Sequence, residues 1–102
     1  MKVYNKLVRD RIPDIMAQNG ERAHFSVLND EGYLRELDRK LTEEMAEYQE
    51  SKELEELADI LEVLEAICTA RGYSVEELHA VREKKQAERG GFEKRLFLEY
   101  KE

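Results

Sequence analysis

This chain has a single cysteine and only two histidines, and those shortages close off several chemistries. Cys68 has no internal partner for a disulfide. Set among apolar residues at helical spacing, it reads as a small core residue rather than a nucleophile. His24 and His79 stand far apart without companion ligands, so surface or capping roles suit them better than metal binding. No Ser-His-Asp or Cys-His arrangement is legible, and Gly-rich phosphate loops of the P-loop or Rossmann type are missing. No apolar run nears the ~20 residues that a bilayer core demands, and the first residues lack the apolar stretch of a signal peptide. A soluble cytoplasmic protein with no membrane partner is therefore expected. Cations are also in deficit: 17 Lys and Arg stand against 24 Asp and Glu, a formal net charge of −7. DNA and RNA binding depends on Lys and Arg neutralising phosphates, so no DNA or RNA partner is expected.

What is present is charge and helical periodicity. The 102 residues, 40% of them charged, suit one domain spanning 1–102, without repeats, linkers or low-complexity segments. A core of this size is small, and a helical chain gains buried area by self-association. Residues 2–8 read as extended or irregular. Pro13 suits the first turn of a short helix that runs to about Asn19 and stops at Gly20. Residues 23–28 have the β-branched and aromatic character of a short strand, and 95–100 alternate enough to pair with them as a small ribbon. Asn29 or Asp30 can cap a long helix over 31–50, whose apolar stripe is Leu34, Leu37, Leu41, Met45 and Tyr48. After the short break at Ser51-Lys52, a helix over 53–71 should fold back antiparallel. It carries two apolar seams, Leu54-Leu57-Leu61-Leu64-Cys68 and Ile60-Val63-Ile67, which implies burial against more than one neighbour. A homodimer or higher oligomer is expected, with the second seam helping to bury against the partner. Gly72 ends that helix, and Ser74-Val75-Glu76-Glu77 opens another over 74–88 as a capping box. The fold class is mainly α: an antiparallel helical bundle with a small β element.

The chemistry concentrates on two successive helices. Glu44 and Glu47 lie one turn apart on the first, and Glu56 and Asp59 one turn apart on the second. An antiparallel pair of helices can bring the four carboxylates together. Four converging anions repel, and a hard divalent cation relieves that repulsion: Mg²⁺, with Mn²⁺ able to stand in. A solvated acidic face is the bland alternative in so acidic a chain. Against it, Glu56 and Asp59 continue the Ile60-Val63-Ile67 seam, and Lys40 sits one turn before Glu44, within reach of a phosphate beside the metal. Glu55, Glu62 and Glu65 are read as ordinary surface charges on the opposite side. Two groups of cations supplement Lys40 for a phosphate-bearing ligand. Lys6, Arg9 and Arg11 cluster near the N-terminus, and Arg82, Lys85 and Arg89 share one helical face.

Lys40-x-x-Glu43-Glu44-x-x-Glu47 followed by Glu56-x-x-Asp59 resembles the signature of the all-α nucleotide pyrophosphohydrolase superfamily, which includes MazG-like enzymes and phosphoribosyl-ATP pyrophosphohydrolase. The stretches Glu56–Leu61 and Ala70–Leu78 resemble the second metal helix and next helix start of phosphoribosyl-ATP pyrophosphohydrolase. Tyr4–Pro13 and Arg89–Phe92 resemble a small single-domain subgroup. The resemblance implies a helical bundle holding Mg²⁺ on Glu44, Glu47, Glu56 and Asp59, with water attacking between the α and β phosphates of a nucleotide to give a monophosphate and pyrophosphate. Either Glu44 or Glu47 would be the general base, while Lys40, Lys6, Arg9, Arg82, Lys85 and Arg89 would meet the substrate. The Glu47–Glu56 interval is shorter than in many MazG-like members, which shortens the inter-helix turn. The alternative is a nucleotide-binding or regulatory helical module without turnover.

Overall fold

The computed structural model describes all residues from Met1 to Glu102. Four helices follow in order: α1 Ile12–Gln18, α2 Asp30–Ser51, α3 Leu54–Ala70 and α4 Val75–Arg89. Their starts obey local chemistry. The Asn29 side chain accepts from the Gly32 N–H at 2.8 Å, and Asp30 and Glu31 place negative charge at the positive end of α2. Ser74 caps α4 in the same way, accepting from Glu77 N–H at 3.0 Å. Gly72, at φ +87°, makes the left-handed turn that separates α3 from α4. No helix is long and apolar enough to cross a membrane.

The centre of the molecule is the α2–α3 hairpin. Lys52 takes the left-handed conformation at φ 59° and donates its N–H to Tyr48 O, so the chain reverses in about two residues. At the far end of the hairpin, Arg71 Nη2 reaches Asp38 Oδ2 at 3.5 Å, as an antiparallel pairing requires. Leu37 on α2 and Val63 and Cys68 on α3 are the buried apolar residues. Cys68 donates through Sγ to Ser74 O at 3.2 Å, tying the end of α3 to the start of α4 and bearing out its reading as a core residue. Helix α4 touches α3 alone, and α1 packs against no other helix.

Three expectations require correction. No strand forms anywhere in the chain. Residues 23–28 and 95–100 lie unpaired, with no helix face beneath Val27, Leu96, Phe97 or Leu98, all of which are exposed. A two-stranded ribbon without a packed face is marginal in water, and partial alternation alone does not supply one. The apolar seams of α3 also divide differently from expectation, with only Cys68 of the leucine seam buried. Val63, in line with Glu56 and Asp59, is buried, whereas Leu54, Leu57, Leu61 and Leu64 face solvent. Thirdly, Glu62 is not remote from the acidic site: it stands one turn beyond Asp59, 3.9 Å from the Arg9 guanidinium. The three-residue spacing from Asp59 was the signal for that placement.

Candidate metal centre

The short turn at Lys52 sets the register of the acids. At a rise of ~1.5 Å per residue, Glu47 and Glu56 stand roughly 7.5 and 6 Å from it along their helices, and Glu44 and Asp59 roughly 12 and 10.5 Å. Glu47 therefore falls level with Glu56, and Glu44 with Asp59. The outcome is a cluster in which one carboxylate oxygen from each of Glu44, Glu47, Glu56 and Asp59 lies within 4.8 Å of all the others. Opposite ligands of Mg²⁺ are separated by about 4.2 Å and those of Ca²⁺ by about 4.8 Å. The side chains are therefore already gathered at the scale of one hard cation.

Burial across the cluster is uneven. Glu44 is 6% exposed, Glu56 and Asp59 are half-buried, and Glu47 is open to solvent. Lys40 Nζ lies 3.4 Å from Glu44 Oε1, but Glu44 Oε2 is buried without any hydrogen-bond partner. An orphaned buried carboxylate oxygen is costly, and a cation held by the four acids would satisfy it. The donor set fits the group: all oxygen, mostly charged, with an open side at Glu47 for water or phosphate. Helix polarity adds to the strain. The last turn of α2 carries no base to offset Glu47, while Glu56 sits in the favourable first turn of α3.

Burial raises the Glu44 pKa above the ordinary glutamate value, the adjacent Glu47 carboxylate raises it further, and Lys40 opposes both. The folded chain thus binds this proton more tightly than the unfolded chain. Its contribution to stability is fully present below the unfolded value of 4.5 and is lost as pH rises through the folded value. In chelator, Glu44→Gln is expected to flatten that decline and to be more stable than wild type at neutral pH by about 1 kcal/mol. Thermal melts of the two proteins across pH check this; parallel curves would show that Glu44 carries no such penalty.

Cations border the cluster on two sides. Lys6 Nζ sits 3.1 Å from Glu43 Oε1, where it joins Lys40 Nζ at 3.5 Å. Glu43 is the main reason the Lys6 pKa is raised, with Glu47 and Glu44 adding to it. Arg9 Nη2 contacts Asp59 Oδ1 at 2.7 Å. Between residues 4–7 and the Glu36–Glu43 stretch of α2 lies an open groove of about 360 Å³, adjoining the cluster through Lys40 and Glu43. The chain thus gathers the four acids with Lys40, Lys6 and Arg9. Arg82, Lys85 and Arg89 are exposed and without ion pairs, on a helix that has no contact with α2. His24 and His79 are exposed and stand apart from the cluster. Glu43, the first acid of the Glu43-Glu44 pair, anchors two lysines. No family model, curated protein or solved structure matches the chain.

Proposed function

We propose that this protein is a Mg²⁺-dependent nucleotide pyrophosphohydrolase, cleaving a nucleoside triphosphate or related nucleotide between the α and β phosphates. The observation that carries the reading is the four-carboxylate cluster with the partnerless, buried Glu44 Oε2 at its floor. The resemblance of the acid spacing to the all-α pyrophosphohydrolases points the same way. A bound Mg²⁺ supplies neutralisation of phosphate charge and polarisation of water.

The chain's own residues divide the remaining work. Buried Glu44 and half-buried Glu56 and Asp59 hold position. Glu47 is the acid open to solvent, so it is the better placed to accept a proton from the attacking water. Lys40 and Lys6 line the groove, where cations would meet the phosphate oxygens that the acids would repel. Arg82, Lys85 and Arg89 would join them only from another copy of the chain.

The test is a screen of nucleoside triphosphates and phosphoribosyl-ATP for Mg²⁺-dependent pyrophosphate release. Release with monophosphate as co-product is the expected result. Mg²⁺-dependent nucleotide binding without release would instead identify a regulatory module. Absence of any cation binding would leave the acids as a solvated face.

A further inference from the structure

The first nine residues form no regular structure, yet two of their side chains end on the acidic hairpin. Lys6 contacts Glu43 on the α2 side at 3.1 Å. Arg9 contacts Asp59 on the α3 side at 2.7 Å and approaches Glu62 at 3.9 Å. Three residues of extended chain span roughly 10 Å, about the distance between the axes of two packed helices. The segment therefore lies across the hairpin as a bridge, with one cation on each bank.

The Arg9 contact involves a residue of the cluster itself. A carboxylate in a short charge-assisted hydrogen bond has part of its charge already committed, and a divalent cation on Asp59 must compete for that charge. Lys6 stands in a comparable relation to Glu43, whose other neighbour is Lys40. A polyphosphate, in turn, presents successive anionic groups that call for cations spaced along it.

We infer that residues 6–9 are a cationic strap that competes with the divalent cation for the acidic hairpin, and that cation binding transfers Lys6 and Arg9 to the phosphates of the incoming nucleotide. This rests on the metal-centre reading above. It makes binding ordered: the cation first, then the nucleotide, with Arg9 opposing the first event through Asp59 and both side chains assisting the second.

Arg9→Ala separates the two halves by sign. Calorimetry on the chelator-stripped full chain, titrated with Mn²⁺, should show binding tightened roughly 2- to 5-fold, the scale of an exposed ion pair. With excess Mg²⁺ present, the affinity for inorganic pyrophosphate should fall roughly tenfold. Arg39→Ala is the control for bulk charge, because Arg39 borders the same groove but pairs with Glu36; it should leave Mn²⁺ affinity unchanged. If Arg9→Ala weakened Mn²⁺ binding, Arg9 would be orienting Asp59 and the strap would be overturned. Equal tightening by Arg39→Ala, or unchanged pyrophosphate affinity in Arg9→Ala, would overturn it too. If neither wild type nor Arg9→Ala bound Mn²⁺, the metal centre itself would fall, an outcome distinct from wild-type binding that Arg9→Ala leaves unaltered.

Discussion

Glu56→Gln is expected to lose divalent-cation binding in calorimetry and to lower nucleotide turnover by at least about 100-fold, while far-ultraviolet circular dichroism shows the helices intact. The substitution preserves size but removes one negative ligand from a set whose oxygens lie within 4.8 Å of each other. A hundredfold loss is about 2.7 kcal/mol at 1.36 kcal/mol per decade, a moderate figure for a charge that, on the proposed function, would act directly on the ion neutralising the phosphate. Glu55→Gln is the appropriate comparison. Glu55 is the neighbouring residue in the first turn of α3, exposed and without an ion pair, so both variants change net charge equally and disturb the helix dipole alike. Glu62 cannot serve, because it shares Arg9 with Asp59. Asp59→Asn should match Glu56→Gln in turnover. It should do so less cleanly in cation affinity, since it also weakens the hold on Arg9. Equal behaviour of Glu56→Gln and Glu55→Gln in both assays would leave the cluster without a function.

The acid cluster was legible because its parts are local. Spacing of three puts each pair on one helix face, and a two-residue break sends the second helix back along the first, while the seam placement and the resemblance single out these four among 24 acids. The helix limits followed for the same reason: Asn29, Gly72 and Ser74 act on groups within a few residues of themselves. The strap contacts were not legible, because Arg9 and Asp59 are 50 residues apart and the segment bearing Arg9 has no periodicity to aim it. The expected ribbon failed for a related reason. A strand is defined by its partner, and nothing in 23–28 or 95–100 supplies one. The two seams of α3 were visible, but their roles could not be assigned by counting apolar residues. Leucines dominate one seam, yet the other is the one turned inward: Val63 is buried on the side where Glu56 and Asp59 meet Glu44 and Glu47, and Leu54, Leu57, Leu61 and Leu64 stay outside.

Those leucines carry the second large effect: at micromolar concentration the protein is expected to sediment as a homodimer or larger, and Leu57→Glu with Leu61→Glu is expected to reduce it to monomer. The single chain has an unusually thin interior, with 5 of 102 residues buried. Its radius of gyration is 17.9 Å, against roughly 13 Å for a compact chain of this length. The exposed leucines recur at intervals of three and four along α3, which makes one continuous apolar stripe. A second copy is the fitting cover, because a two-fold axis presents the stripe to itself and needs no other complementary surface. In such an interface every substitution acts twice. A loss of ~1.5 kcal/mol per buried leucine becomes about 3 kcal/mol per position, or roughly a hundredfold in Kd. The acid cluster lies on the α2-facing side of α3, so the paired Glu variant should retain Mn²⁺ binding while its melting temperature falls and ceases to depend on protein concentration. A wild type that sediments as monomer throughout the micromolar range, with the same melting temperature as the variant, would mean that the stripe is left to solvent.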